Sequence, residues 1–323
     1  MEEKNICTVL LITYNHIEYI KRAIESVLCQ KTKYNYIIHI FDDGSTDGTS
    51  DIIREYAAKY PDKIIPFISQ KNQGAQTNIW NAYKSVKTKY CAILECDDFW
   101  CDENKLEMQI NALEEHPECT FCATQTRVLN TGDDCREKED HTLMVTHRIC
   151  KKKKIISKKD LPFGNKLGFM NHVGSRLIRT SAFDLDKLHD KEAFLYDNCQ
   201  FYYLISKGPF YYIDKVMHCY IQTGCGSFSG LPAMKRLHTH IKNLLAVNEE
   251  TNYELSKNIF NEIKNFISYY TDIQLNKESS LYKNFKRKFK RVVRYFVPEF
   301  FIDIIKLPLY IGRYVKYNLI RRN

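Results

Sequence analysis

Cys91-Ala-Ile-Leu-Glu-Cys-Asp-Asp-Phe-Trp100 runs from four apolar residues into an acidic pair. So short an apolar run between polar flanks reads as a buried strand, hydrophobic on both faces as the strands of parallel sheets are. Asp97 and Asp98 then stand just past its carboxyl end, the edge at which open α/β sheets bind ligands. Adjacent carboxylates repel each other, so a hard cation, Mn²⁺ or Mg²⁺, shared with a phosphate is the economical reason for the pair. The bland alternative is a cap on the helix expected to begin near Asp102.

The preceding residues repeat the pattern. Ile6–Thr13, Tyr36–Phe41 and Ile64–Ser69 read as strands. Asn15 and Glu18 have capping-box spacing for a helix with Ile17, Ile20, Ile24, Val27 and Leu28 on its apolar face. Asp42-Asp-Gly-Ser-Thr-Asp-Gly48 precedes a helix carrying Ile52, Ile53, Tyr56 and Ala57, which Pro61 stops. Asn72-Gln-Gly74 reads as a turn and Asn78–Val86 as a helix. Alternation of this kind predicts a doubly wound, mostly parallel α/β sheet. Tyr14, Asp42, Asp43, Asn72, Asp97 and Asp98 should converge along one edge of it. Two other readings fail on particular residues. The loop from Asp43 imitates an EF-hand, but its twelfth position is Arg54 where a bidentate Glu is required. A dinucleotide-binding turn needs glycines after the first strand, and Thr13-Tyr-Asn-His16 has none.

The chain has 323 residues, twelve of them cysteine, and a net charge of +9. No 18-residue apolar run exists and the first residues lack the features of a signal peptide, so a cytoplasmic protein with reduced cysteines is expected. Cys119-x-x-Cys122 lies in an apolar, strand-like stretch with no second pair at zinc-finger spacing. The charge is uneven: from Lys283 onward twelve Lys or Arg face two acidic residues, and the rest of the chain is close to neutral. Lys283–Arg294 interleaves the basic residues with Phe285, Phe289, Val292 and Val293, and an apolar stretch to Tyr310 follows. Such a tail suits the headgroup boundary of an anionic membrane, lying on the bilayer because Glu299, Asp303, Lys306 and two prolines interrupt it. The near-neutral remainder offers no surface for nucleic acid.

The runs TVLLITYNHIEYIKRAIESVLCQ, IFDDGSTDGT, NQGAQTN and YCAILECDDFWCDENKLEMQINALEEHP, in that order over about the first 125 residues, resemble the family 2 glycosyltransferases of bacteria. The resemblance implies the GT-A fold and an inverting, metal-dependent sugar transfer of the hexosyltransferase type from a UDP-sugar. By residue, it implies that Tyr14 stacks on uracil and Asp43 hydrogen-bonds the base. Asp97 and Asp98 would hold the ribose and a divalent metal, Mn²⁺ or Mg²⁺, under the pyrophosphate. Thr13, Asn15, Asp42 and Asn72 complete the expected donor site.

Beyond residue 127 the chain turns polar, and Asn130–Asp160, with the quartet Lys151–Lys154, reads as a long exposed connection. Phe169–Arg179 resembles the segment that the family lays beside the acceptor, which makes His172 and Ser175, with Trp100, candidates for acceptor contacts. Asp197 stands seven residues before Leu204 and eleven before Gly208, the spacing of the family's catalytic carboxylate. A helix N-cap is its bland reading, and Asp184, Asp186, Asp190 and Glu192 are rivals. Phe210–Asp214 and Met217–Gln222 should be closing strands, Gly224–Gly230 a flexible loop, and Pro232–Thr271 helical. Ile221 and Thr223 stand where relatives often carry Arg and His, so no phosphate or metal contact is carried over to that loop.

The expected organisation is a donor-binding half over 1–127, an acceptor and catalytic half over 128–230, a helical extension over 231–280 and a basic amphipathic tail over 281–323. The expected function is transfer to a glycan or lipid-linked acceptor in bacterial surface polysaccharide assembly (capsule, O-antigen or lipooligosaccharide), by an enzyme peripheral on the inner face of the cytoplasmic membrane. The alternative is a non-catalytic module of the same fold that binds nucleotide sugar or glycan.

Overall fold

The computed structural model describes residues 5–131, 137–143, 153–161, 172–188, 191–222, 232–263 and 266–267. Strands β1 (Cys7–Thr13), β2 (Tyr36–Asp42), β3 (Ile64–Ile68) and β4 (Tyr90–Glu95) alternate with helices α1 (Ile20–Leu28), α2 (Thr49–Lys59) and α3 (Ala75–Ser85). They pair in parallel in the order β3-β2-β1-β4, as the alternation predicts. Successive residues of β1 serve opposite faces. Cys7, Val9 and Leu11 pack with Ile20, Ile24 and Val27 of α1, while Leu10 and Ile12 pack with Ala82 and Tyr83 of α3. All seven β1 residues are buried, which is why the run carries no charge.

After β5 (Phe99–Trp100) and α4 (Lys105–Glu115) come β6 (Phe121–Thr131), β7 (Glu137–Leu143), β8 (Ile155–Ile156), β9 (Leu177–Arg179), α5 (Lys191–Phe194), α6 (Asp197–Lys207), β10 (Phe210–Gln222) and α7 (Ala233–Glu250). The sheet continues β4-β9-β6-β10-β5, with ten strands among the described residues. β9 is antiparallel to both β4 and β6, and β10 is parallel to β6. The antiparallel course of β9 matters for the site. Cys91 is opposite Ile178, so the residues leading into β9 run alongside the carboxyl end of β4. α6 and α7 cover one face through Phe201, Leu204, Leu237 and Leu244, and α4 covers the other through Leu106, Ile110 and Leu113.

Four expectations are corrected. Asn15 does not open a capping box: α1 begins at Ile20 with Tyr19 as N-cap, because the Asn15 side chain is held by another loop. The span 130–160 is not all connection, since β7 pairs antiparallel with β6 and β8 pairs with β10. Residues 210–222 form one strand with two register shifts, and these absorb the break expected at Lys215. The helix from 233 is interrupted at 251–255, where Asn252 and Tyr253 take positive φ of 50° and 62°. Lys151, Lys152, Phe169 to Asn171, Asp190, the loop Gly224–Gly230 and the basic tail lie outside the described residues. Among the described residues no helix is long and apolar enough to cross a membrane.

Candidate active site

The loops after β1, β2, β3 and β4 gather at one sheet edge and are tied to one another. The Asp43 N–H donates to Thr13 O (3.0 Å), Ser69 N–H to Asp42 O (2.9 Å) and Cys96 N–H to Ile12 O (2.9 Å). Asp42 is fully buried and accepts from the Ser45 N–H (3.1 Å) and from the hydroxyls of Ser45 and Ser50, so it builds its own loop. Asp43, equally enclosed, clamps the next loop: its two oxygens accept the N–H of Gln73 (2.8 Å) and of Gly74 (2.9 Å). Asn72 Oδ1 shares the Gly74 N–H at 2.8 Å. Gly74 has φ +94°, a conformation that side chains rarely adopt. Asn15, at φ +55°, donates its N–H to Ser45 Oγ (2.8 Å) and accepts the Thr46 N–H at Oδ1 (2.9 Å). The Thr13 side chain is buried beneath, and the Tyr14 ring stands 41% exposed above this edge.

The acidic residues follow in a tight turn, closed by the Asp98 N–H on Glu95 O at 2.9 Å. Neither aspartate caps α4, whose N-cap is Asn104 with its N–H on Asp102 Oδ1 at 2.9 Å. The bland reading of the pair therefore fails. Asp97 stays half-buried, whereas Asp98 turns inward, 1% exposed, with Oδ1 accepting the Ile221 N–H at 2.8 Å. Burial holds the Asp98 carboxyl well above the usual range, and Asp97 and Asp197 push it further against the opposing pull of His172. Glu95 is raised in the same way, by burial and then by Asp97, Asp197 and Asp98. Four carboxyl groups thus lie close enough to repel one another around the end of β4 and the start of α6.

Asp197 is the first residue of α6. The N-cap is Tyr196, without a side-chain cap bond, and Asp197 Oδ2 instead reaches across to accept the Val173 N–H at 3.2 Å. Beneath it lies Arg176, fully buried. Its guanidinium donates to Asp197 O (3.0 Å) and to Gln200 Oε1 (2.9 Å), and Gln200 in turn donates to Tyr83 Oη (2.7 Å). Among the rivals, Asp184 and Asp186 are exposed and bonded within their own turn. The Glu192 side chain lies outside the described residues.

His172 precedes a short 3₁₀ turn, its Nδ1 accepting the Gly174 N–H at 3.3 Å. His218 on β10 is fully buried, and burial lowers it to about 3, so it is a neutral imidazole. Asp98 Oδ2 and His218 Nε2, 3.2 Å apart, are both buried without a hydrogen-bond partner. A neutral imidazole and a carboxylate oxygen, both unsatisfied, are a donor set that fits a divalent metal. Ser175 is buried with its hydroxyl on His172 O (2.7 Å), and Trp100 Nε1 donates to Gly174 O (3.0 Å); both side chains form the wall of the site. Lys105, also buried, donates to Gln109 Oε1 (2.6 Å) and lies 4.2 Å over the Trp100 ring, and burial lowers it to about 7.

The sequence gives no sign of Glu95, His218 or Arg176 at this site. His218 sits in a strand-like run, MHCYIQ, that reads as core, and only the register of β10 against β5 and β6 brings it to Asp98.

Residues 8–185 match the profile of the family described as Glycosyl transferase family 2. The putative teichuronic acid biosynthesis glycosyltransferase TuaG of Bacillus subtilis is 35% identical over 121 residues, covering 38% of this chain and 46% of that protein. The first curated relatives are matched over about a third of their own length, 35%. S. aureus TarS in complex with UDP-GlcNAc superposes with a TM-score of 0.60 at 13% identity, over 96% of this chain and 80% of that one. The mannosyltransferase PcManGT from Pyrobaculum calidifontis, in complex with GDP-Man and Mn²⁺, superposes with a TM-score of 0.50 at 13% identity, over 98% and 88%. At such identities the likeness shows the fold, GT-A. The family profile takes in more than half of the chain, including β1 to β4 and the acidic turn, and the chain belongs to glycosyl transferase family 2.

Proposed function

We propose that the chain is an inverting, metal-dependent glycosyltransferase that moves a sugar from a UDP-sugar to a hydroxyl of a glycan or lipid-linked acceptor in bacterial surface polysaccharide assembly. The observation that carries this reading is the meeting of Asp197 with Glu95, Asp97 and Asp98 at the carboxyl edge of the sheet. The UDP-GlcNAc held by TarS and the teichuronic acid assignment of TuaG support the donor and the product class.

The uridine lies against Tyr14, over the loop that Asp43 clamps. Asp97 takes the ribose, and Asp97 and Asp98 hold the divalent cation, Mn²⁺ or Mg²⁺. When bound, that cation neutralises charge growing on the departing diphosphate. Asp197, on the opposite wall, accepts the proton of the attacking hydroxyl as general base. Attack from the face away from the nucleotide inverts the anomeric centre. His172 is placed for an acceptor contact beside Asp197.

A panel of UDP-sugars with and without Mn²⁺, read by thermal shift and by release of UDP, tests the proposal, since a ligand at about 100 times its Kd stabilises by about 2.7 kcal/mol. Absence of any metal-dependent shift or turnover across the panel would sink it. The basic tail is proposed to hold the enzyme on anionic lipid. Full-length protein should float with anionic liposomes at low salt, and equal sedimentation of the full chain and a truncation at residue 280 overturns that part.

A further inference from the structure

Two cysteines among the described residues, Cys29 and Cys101, are exposed, and Cys101 has a second thiol beside it. β5 lies antiparallel to β10, with Phe99 opposite Cys219 and Trp100 opposite His218. The pairing runs on past β5. The Cys101 N–H donates to Met217 O (3.1 Å), and Lys215 Nζ meets Asp102 Oδ2 at 2.5 Å. Cys101 therefore stands opposite Met217, on the same side of the strand as Phe99 and diagonal to Cys219 across the pair. The two side chains meet there, the Cys219 thiol donating to the Cys101 sulfur.

The two sulfurs are unequally placed. Cys219 is 2% exposed and packs with Leu129, Ile221 and Phe99, whereas Cys101 opens to solvent. The hydrogen bond from Cys219 lowers the Cys101 thiol against the partial burial of its sulfur, and the charge of Arg127 lowers it further. Burial instead raises Cys29, and it carries Cys7 and Cys119 up to about 12. An accessible thiol favoured as thiolate is the one that attacks a disulfide, and a second thiol in contact with it resolves the product.

We propose that Cys101 and Cys219 form a reversible thiol–disulfide site, oxidised by a small disulfide of the glutathione class, and that the bond staples β5 to β10. In the first step the Cys101 thiolate attacks one sulfur of glutathione disulfide. That S–S bond breaks, a mixed disulfide forms on Cys101, and one glutathione leaves as a thiolate that takes up a proton. In the second step Cys219 gives its proton to solvent and its sulfur attacks the Cys101 sulfur. The second glutathione leaves and is protonated, so two protein thiols are oxidised and one glutathione disulfide is reduced to two thiols. The staple stands three residues after Asp98 and two before Ile221, whose N–H holds Asp98 Oδ1 at 2.8 Å. It thereby fixes both partners of the inward-turned carboxylate.

The test uses the full chain, reduced and then held natively in excess glutathione disulfide, with free thiols alkylated before digestion. A peptide map that joins Cys101 to Cys219 is expected, and dithiothreitol should release both as thiols. The oxidised protein should unfold at least about 4 °C above the reduced protein. Its Ile221 amide should exchange at least about tenfold more slowly. Cys219→Ala should stop at the first step with one glutathione on Cys101, and Cys101→Ser should leave Cys219 a free thiol. If Cys219→Ala fails to fold, the peptide map of the unaltered chain decides. Glutathione retained on Cys101 of the unaltered chain, both thiols still free, or a Tm within about 1 °C of the reduced form overturns the proposal. No sugar or metal enters the test, so its outcome stands apart from the donor-site reading.

Discussion

Asp43→Asn removes one charge and leaves the shape of the side chain intact, at a position where both oxygens are in use. The carboxylate accepts the N–H of Gln73 and of Gly74, and the residue is 2% exposed. An amide accepts only one of them, and its own NH₂ then faces the other donor. The loss is one charge-assisted hydrogen bond, with the amide NH₂ set against the donor it replaces, about 1.5 to 3 kcal/mol. For a domain of this size that lowers Tm by roughly 5 to 10 °C. Thermal unfolding followed by circular dichroism measures the effect. Amide exchange at Gln73 and Gly74 should quicken in step, since these are the groups released. A Tm within about 1 °C of the unaltered protein, with both amides still protected, would refute the clamp.

Asp197→Asn should cut turnover by about 10²-fold or more while UDP-sugar affinity stays nearly intact, the split expected of a general base; turnover within about threefold would move the role to Asp190 or Glu192. Lys105→Met should stabilise the fold, more at pH 6 than at pH 9. Burial lowers Lys105 from 10.5 to about 7, so between those values the unfolded chain holds a proton that the folded chain has released, and stability rises with pH across that window. An equal Tm gain at both pH values would contradict the assignment. Gly174→Ala drives a Cβ to 2.3 Å from His218 Nε2. A loss of about 1 to 3 kcal/mol, measured by urea unfolding, is expected, and an unchanged midpoint would show that His218 moves freely.

The first half of the sheet was legible because its signal is local. Four apolar runs, each ending in polar residues, leave no other arrangement than buried parallel strands, and the edge residues Asp42, Asp43, Asp97 and Asp98 follow from chain direction alone. Asn15 misled because its amide competes for two jobs, and the long-range bond to Thr46 wins over the local cap. In the second half the decisive facts are non-local. β9 is three residues long, too short to show a period, yet its antiparallel course carries His172 to Asp98. His218 reaches the same place through register shifts in β10 that no pattern in residues 210–222 announces. The inward turn of Asp98 against Ile221 is likewise a product of pairing across 123 positions of sequence.

The contacts between α3 and the start of α6 bear on how this protein can move. Tyr83 joins Gln200 in the core at 2.7 Å, and Gln76 joins Tyr196 near the surface at the same length. Residues 76 and 83 share one face of α3, and 196 and 200 lie one turn apart, so the two bonds act as parallel struts. One strut would leave a pivot; two leave none. Asp197 sits between their anchor points, and α3 begins one residue after the Gly74 clamped by Asp43. The span from the loop that Asp43 clamps to Asp197 is thereby set by the frame itself. Under the proposed function, Asp197 stands in place before a donor arrives, and domain closure is not required to bring it there.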